Sequence, residues 1–194
     1  MSDKCTRSRI INAADELFYQ QGYDQTSFAD IAKAVQISRG NFYYHFKTKD
    51  EILQAVIENR LSSLRQMLAR WDAELPDPGE RIRRYIDSLI TNQANIKHFG
   101  CPVGTLCSEL AKLRHASRAE ATALFALFRD WLAAQFRLLG HPAQAETLAM
   151  HLIARGQGIA TLANAFHDEQ FLMQEVAQLH AWLDSIAEPV PSLT

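Results

Sequence analysis

Residues 28–52 read FADIAKAVQISRGNFYYHFKTKDEI, and they decide the fold class of the segment around them. Ser27 just ahead is a good helix N-cap with Asp30 three residues later, and Phe28, Ile31, Ala32 and Val35 then fall at helical spacing. After Gln36-Ile37, Ser38 caps a third short helix whose Phe42 and Phe46 point inward, and Thr48 with Glu51 forms a capping box for a fourth. Two short capped helices around a tight turn, with small Ala32 and Gly40 and apolar Ile37 and Phe42, describe a helix-turn-helix unit. Its outer face is unusual for a solvated surface. Arg39, Asn41, Tyr43, Tyr44 and His45 offer hydrogen-bond donors and aromatic area beside Lys47 and Lys49, which suits base edges and flanking phosphates. Tyr43 and Tyr44 also fit a purely packing role, and both readings hold together if each ring packs while its hydroxyl stays free.

Upstream, 6–20 places Ile10, Ile11, Ala14, Leu17 and Phe18 on one stripe, with Gly22 closing that helix. Downstream, the fourth helix is predicted over 49–74. Its apolar face is Ile52, Leu53, Val56, Ile57, Leu61, Leu64, Leu68 and Trp71, and at about 1.5 Å per residue it is roughly 39 Å long. Pro76 and Pro78-Gly79 stop it. A fifth helix reaches about Ile96, a break follows at His98–Pro102, and further helices cover 102–113, 117–139, 143–166 and 170–187. No stretch alternates as a half-buried strand does. The expectation is an all-α chain of about nine helices, with an N-terminal three-helix reading domain over 1–50 and a larger helical body over 51–194.

The last two helices carry stripes with nearly heptad spacing: Leu148, Leu152, Gly156, Ile159, Ala163 and Phe166 on one, Leu172, Val176, Leu179, Trp182, Leu183 and Ile186 on the other. Such a pair suits a homodimer interface of two helices from each subunit, or else fills the subunit's own core.

Charge sharpens the reading of the short helices. The 194-residue chain has a net charge of −2, yet from Ile31 to Lys49 it carries Lys33, Arg39, Lys47 and Lys49 and no carboxylate. A local basic strip meets phosphate without making the whole protein adhesive. No apolar run is long enough to span a bilayer, and the N-terminus lacks the apolar core of a signal peptide, so a cytoplasmic protein without membrane contact is expected. Cys5, Cys101 and Cys107 are too few and scattered for a disulfide framework.

Through TSFADIAKAV (26–35) and SRGNFYYHFKTKDEIL (38–53), the chain resembles the tetracycline-repressor (TetR) family of bacterial regulators. The likeness is specific over residues 6–55 and only architectural beyond them. It implies a three-helix DNA-binding domain and a divergent helical body that dimerises and binds an effector. By matched position, Thr26 and Ser27 resemble phosphate-contacting residues. Ser38, Arg39, Gly40, Asn41, Tyr43, Tyr44 and His45 resemble the recognition helix, and Lys49, assisted by Lys47, a basic contact to the DNA backbone. One departure is Gln36, where the family often has Gly; a left-handed conformation there costs about 1 to 2 kcal/mol.

In the body, Leu64, Leu68, Tyr85, Leu89, Gln93, Phe125, Phe128 and Trp131 combine aromatic and polar character as a small-molecule pocket does, though each also serves as a packing residue. Cys101 precedes Pro102 at an expected helix N-terminus, where a thiolate is favoured. It reads either as part of that pocket and a thiol sensor, or as a small buried hydrophobe. No phosphate-cradling glycine loop, nucleophile elbow or zinc-spaced ligand set is present, so neither catalysis nor a cofactor or metal is expected. The resulting expectation is a ligand-responsive, sequence-specific regulator that binds a double-stranded operator as a repressor and is released by a small molecule.

Overall fold

The computed structural model describes residues 3–187, with the backbone alone for residues 3, 4 and 39. Among these residues there is no strand, and ten helices follow one another: α1 (Asp3–Gln21), α2 (Phe28–Val35), α3 (Arg39–His45), α4 (Lys49–Glu74), α5 (Pro78–Thr91), α6 (Gln93–Phe99), α7 (Pro102–Lys112), α8 (Arg118–Leu138), α9 (Ala145–Phe166) and α10 (Glu169–Ala187). The all-α class stands as expected. The fifth predicted helix is parted in two at Asn92. There Ser88, Thr91 and Asn92 each donate a side-chain hydrogen bond to a carbonyl three or four residues back, an alternative to continuing the helical ladder.

The chain divides into two compact units. The first comprises the segment up to Arg65 together with Pro102–Phe125, and the second Gln66–Cys101 together with the segment from Ala126 onward. In the first, Ile10, Ala14 and Phe18 of α1, Ile31 and Val35 of α2, Phe42 and Phe46 of α3, and Ile52, Leu53 and Val56 of α4 form one core, joined by Leu106 and Leu110 of α7. Each large side chain so buried stabilises the unit by about 1.5 to 3 kcal/mol. Arg60, nearly enclosed, donates to Asp15 and to the Pro102 carbonyl, both at 2.6 Å, which ties α4 to α1 and to the start of α7.

Helix ends in this unit are finished carefully. At α2, Ser27 and Asp30 form the expected capping box. At its other end Gln36 is left-handed (φ 54°), with Ile37 N–H bonded to Ala32 and Gln36 N–H to Lys33, so the departure noted from sequence carries its conformational cost. Arg9 satisfies the last carbonyl of α2, at Val35, from 2.7 Å. The same motif ends α7 with Arg114 in the left-handed position (φ 52°), where glycine is the unstrained choice.

In the second unit α10 packs on α5 and α9, and α6 on α9. Of the two readings of the stripes, the structure favours the core for most of their residues. Leu152, Gly156, Ile159 and Ala163, with Leu172, Val176, Leu179 and Leu183, are buried in the subunit's own core. The large apolar side chains exposed on these two helices are Met150, Leu162, Phe166 and Met173. With only one helical face available to each role, the face that packs on α5 and α6 is spent before any partner arrives. A polar network closes the C-terminal end of α4: Arg81 donates to the Leu75 and Asp72 carbonyls, the Trp131 indole N–H to the Asp72 carboxylate at 3.1 Å, and buried Gln135 accepts from Arg81.

Candidate nucleic-acid interface

Phe42 and Phe46, 1% and 2% exposed, pin the seven-residue α3 to the core and thereby dictate which of its side chains face outward. Phe28 meets Phe42 edge-on at 5.1 Å and stacks flat on Tyr43 at 5.6 Å. Tyr43 therefore has a packed ring face and yet remains 46% exposed, whereas Tyr44 at 68% exposure is no core residue. Gly40 and Asn41 are exposed, and His45 is half-buried with its ring against the edge of Tyr44 at 5.2 Å. A Cβ on Gly40 would meet nothing, so this glycine leaves the backbone open instead of solving a packing problem. Ser38 caps α3 by accepting from Asn41 N–H, and Ser27 stands exposed at the start of α2. The side chain of Arg39 lies outside the described residues.

Three of the expected phosphate ligands are placed less simply. Thr26 is 1% exposed and its hydroxyl donates to the Gly22 carbonyl at 2.7 Å, so it holds the α1–α2 turn and has almost no surface to offer. Lys49 donates to the Tyr23 and Asp24 carbonyls and sits 4.3 Å above the Tyr23 ring. Lys47 is exposed, with its ammonium on the Tyr43 carbonyl and its backbone N–H on Glu51.

Behind this face lies a cluster that sequence reasoning missed. Glu109 of α7 accepts from the Tyr23 and Asp24 backbone N–H groups, both at 2.8 Å. The Tyr23 hydroxyl donates to Asp50 at 2.5 Å, and His115 lies 3.6 Å from the same carboxylate. The Tyr23 hydrogen bond, aided by the nearby His115, holds the Asp50 carboxyl below the usual carboxylate range, against a smaller opposing effect of burial. Burial first, and then the Asp50 carboxylate, push the Tyr23 hydroxyl up. These pairs span up to 86 residues, and periodicity within a helix carries no signal of them. The one available hint was Glu109 itself, a charged residue among the apolar positions of its helix.

The candidate pocket residues are divided between the two units. Leu64 and Phe125 belong to the first unit, where Leu64 lines an open cavity of about 410 Å³ with Asn12, Asp15, Tyr19 and Arg60. In the second unit, Leu68 is core and Trp131 is committed to Trp71 and Asp72. Leu89 and Gln93 are half-buried, as are Tyr85 and Phe128, whose rings meet edge-on at 5.4 Å. The Cys101 thiol accepts from Gln157 at 3.3 Å, and its proximity adds to the burial that pushes the Tyr85 hydroxyl up.

Comparison with known proteins agrees with this geometry. Residues 10–56 match the bacterial regulatory proteins of the tetR family, and residues 78–178, more than half the chain, match the C-terminal domain of LmrA/YxaF-like transcriptional regulators. The chain belongs to the TetR family. This TetR-family chain is 29% identical to a helix-turn-helix transcriptional regulator of Lactococcus lactis, over 94% of its own length and 95% of the relative's. It is 27% identical to the transcriptional repressor DhaR of a Mycobacterium species, over 65% of its length and 61% of DhaR's. Among solved structures, a TetR regulator of Legionella pneumophila superposes with a TM-score of 0.80 at 26% identity, covering 91% of this chain and 94% of that one. As a member of the family it is a DNA-binding transcriptional regulator with the expected all-helical fold. No described helix is long and apolar enough to cross a membrane.

Proposed function

We propose that this TetR-family protein is a cytoplasmic, homodimeric repressor that releases its operator when a small molecule occupies the body, acting by binding and not by catalysis. The reading domain is assigned to residues 1–50 and the effector and dimerisation domain to 51–194. The observation that carries this is α3: two buried phenylalanines turn Asn41, Tyr44 and half of Tyr43 outward on a carboxylate-free basic strip. In the major groove those side chains contact base edges, while the N-terminus of α2 beyond Ser27, with Ser38, Lys47 and the remaining donor of Lys49, holds the phosphates.

The dimer is assigned to the outer faces of α9 and α10. Met150, Ala154, Gly158, Leu162 and Phe166 recur every fourth residue along α9, with Met150, Leu162 and Phe166 exposed there and Met173 exposed on α10. Small Ala154 and Gly158 at the centre of that stripe allow a partner helix to approach closely. In a two-fold dimer both recognition helices reach successive major grooves only when spaced about 34 to 36 Å apart. A ligand that binds better to a state with another spacing releases DNA, and about 1 to 3 kcal/mol of coupling corresponds to some 5- to 150-fold in affinity. Tyr85, Leu89, Gln93, Phe128 and Cys101 are the side chains of the second unit assigned to that ligand.

Footprinting on the DNA beside its own gene, followed by a screen of small apolar compounds for release, tests the reading. A protected site whose affinity falls with the bound compound supports it. Equal affinity for that DNA and for random duplex at moderate salt overturns it.

A further inference from the structure

We infer that the α7–α8 loop, residues 112–118, is a second DNA-contacting surface, in which Lys112, Arg114 and Arg118 meet the phosphate backbone outside the groove read by α3. The inference rests on the DNA-binding reading and adds to it a contact from a part of the chain far from the helix-turn-helix in sequence.

Position carries the first part of the argument. The loop belongs to the same compact unit as α1–α3 and is fastened to their DNA-facing end. His115 packs edge-on against Tyr23 at 5.1 Å and lies 3.6 Å from Asp50, while its Nδ1 accepts from Ser117 N–H at 3.1 Å. Glu109, one turn before the loop, grips the backbone of Tyr23 and Asp24. Tyr23 stands four residues before the Ser27 cap and Asp50 directly follows Lys49, so the loop adjoins both groups assigned to phosphate.

Charge carries the second part. From Leu110 to Ala119 the chain has Lys112, Arg114 and Arg118 and no carboxylate, a basic strip of the same kind as Ile31–Lys49 in this unit. All three cations are exposed, and none forms an ion pair among the described residues. Three carboxylates of this unit near the loop are engaged elsewhere, Glu109 by two amides, Asp50 by Tyr23 and His115, and Asp24 by Gln25, while Glu120 stands exposed in the first turn of α8. Arg114 also keeps a long cationic side chain where the backbone favours glycine. A polyanion with regularly spaced charges fits such a surface.

The test is a fluorescence-anisotropy titration across a range of salt, with a duplex from the region beside its own gene and a random-sequence duplex. It compares the full chain, Lys112→Ala/Arg114→Gly/Arg118→Ala, and the charge-matched control Arg65→Ala/Arg70→Ala/Arg84→Ala. The slope of log affinity against log salt is expected to shrink by about 0.9 for each phosphate no longer neutralised, hence by roughly 2 to 3 in the loop variant, and to stay unchanged in the control. Arg114→Gly alone guards against misfolding: it relaxes the backbone, so its Tm rises while DNA affinity falls, whereas a purely structural role moves both in one direction. An unchanged slope in the loop variant, or the same loss in both triple variants, overturns the loop contact and leaves the helix-turn-helix reading standing. Absence of salt-dependent binding by the unaltered chain refutes the DNA reading itself.

Discussion

Gln36 holds a left-handed backbone that a glycine adopts without strain, and it does so in the turn between two helices whose relative angle matters for DNA reading. Gln36→Gly is expected to raise stability by about 1 kcal/mol in urea unfolding, and a lower midpoint at unchanged m would refute the account. Adjacent aromatic residues of α3 separate packing from recognition in the same way. Phe42→Ala empties a fully buried site and should cost about 3 to 5 kcal/mol, enough to unfold the reading unit. Tyr44→Ala alters a surface side chain, so its Tm should stay close to that of the parent while operator affinity drops at least tenfold. Retained affinity in Tyr44→Ala would remove that residue from the interface.

The α1–α2 turn depends on partners supplied by distant helices, and its acid response follows from them. Asp50, held down chiefly by Tyr23, and Asp30, held down chiefly by the Ser27 hydroxyl and backbone N–H, both titrate lower in the folded protein than in the unfolded chain. For a depressed carboxyl, the stabilisation is complete above the unfolded value of about 3.9 and disappears as pH falls through the folded value. Tyr23→Phe removes the Asp50 bond, so the variant should be less stable than the parent at pH 7, with the gap closing below about pH 4. Urea midpoints measured from pH 7 to pH 3 check this; a gap that widens toward acid would reverse the sign. Helix α3 was legible in advance because its caps and its two inward phenylalanines lie within nine residues. The turn's dependence on Glu109 and His115 was not, since no local pattern links residues 86 positions apart.

The two faces of α9 carry the largest consequence for assembly. One is filled by the subunit's own core, and the other exposes Met150, Leu162 and Phe166 around Ala154 and Gly158. Leu162→Arg places a charge within the proposed dimer face and costs the monomer little, because Leu162 is already exposed. Sedimentation velocity should then show a monomer of unchanged Tm that no longer holds the two-site operator. A dimer that persists at micromolar concentration would move the interface elsewhere.

Apart from the break at Asn92, the helix boundaries, the helix-turn-helix and the outward tyrosines followed from the order of residues alone, because caps, turn residues and a spacing near 3.6 act over a few positions at a time. Three matters waited for the folded chain: which apolar stripe of α9 and α10 is core and which is free, that Thr26 and Lys49 serve the turn, and that α7 fastens the reading unit. Each of these is a competition between partners far apart in sequence, and only the packed arrangement decides which side chains meet.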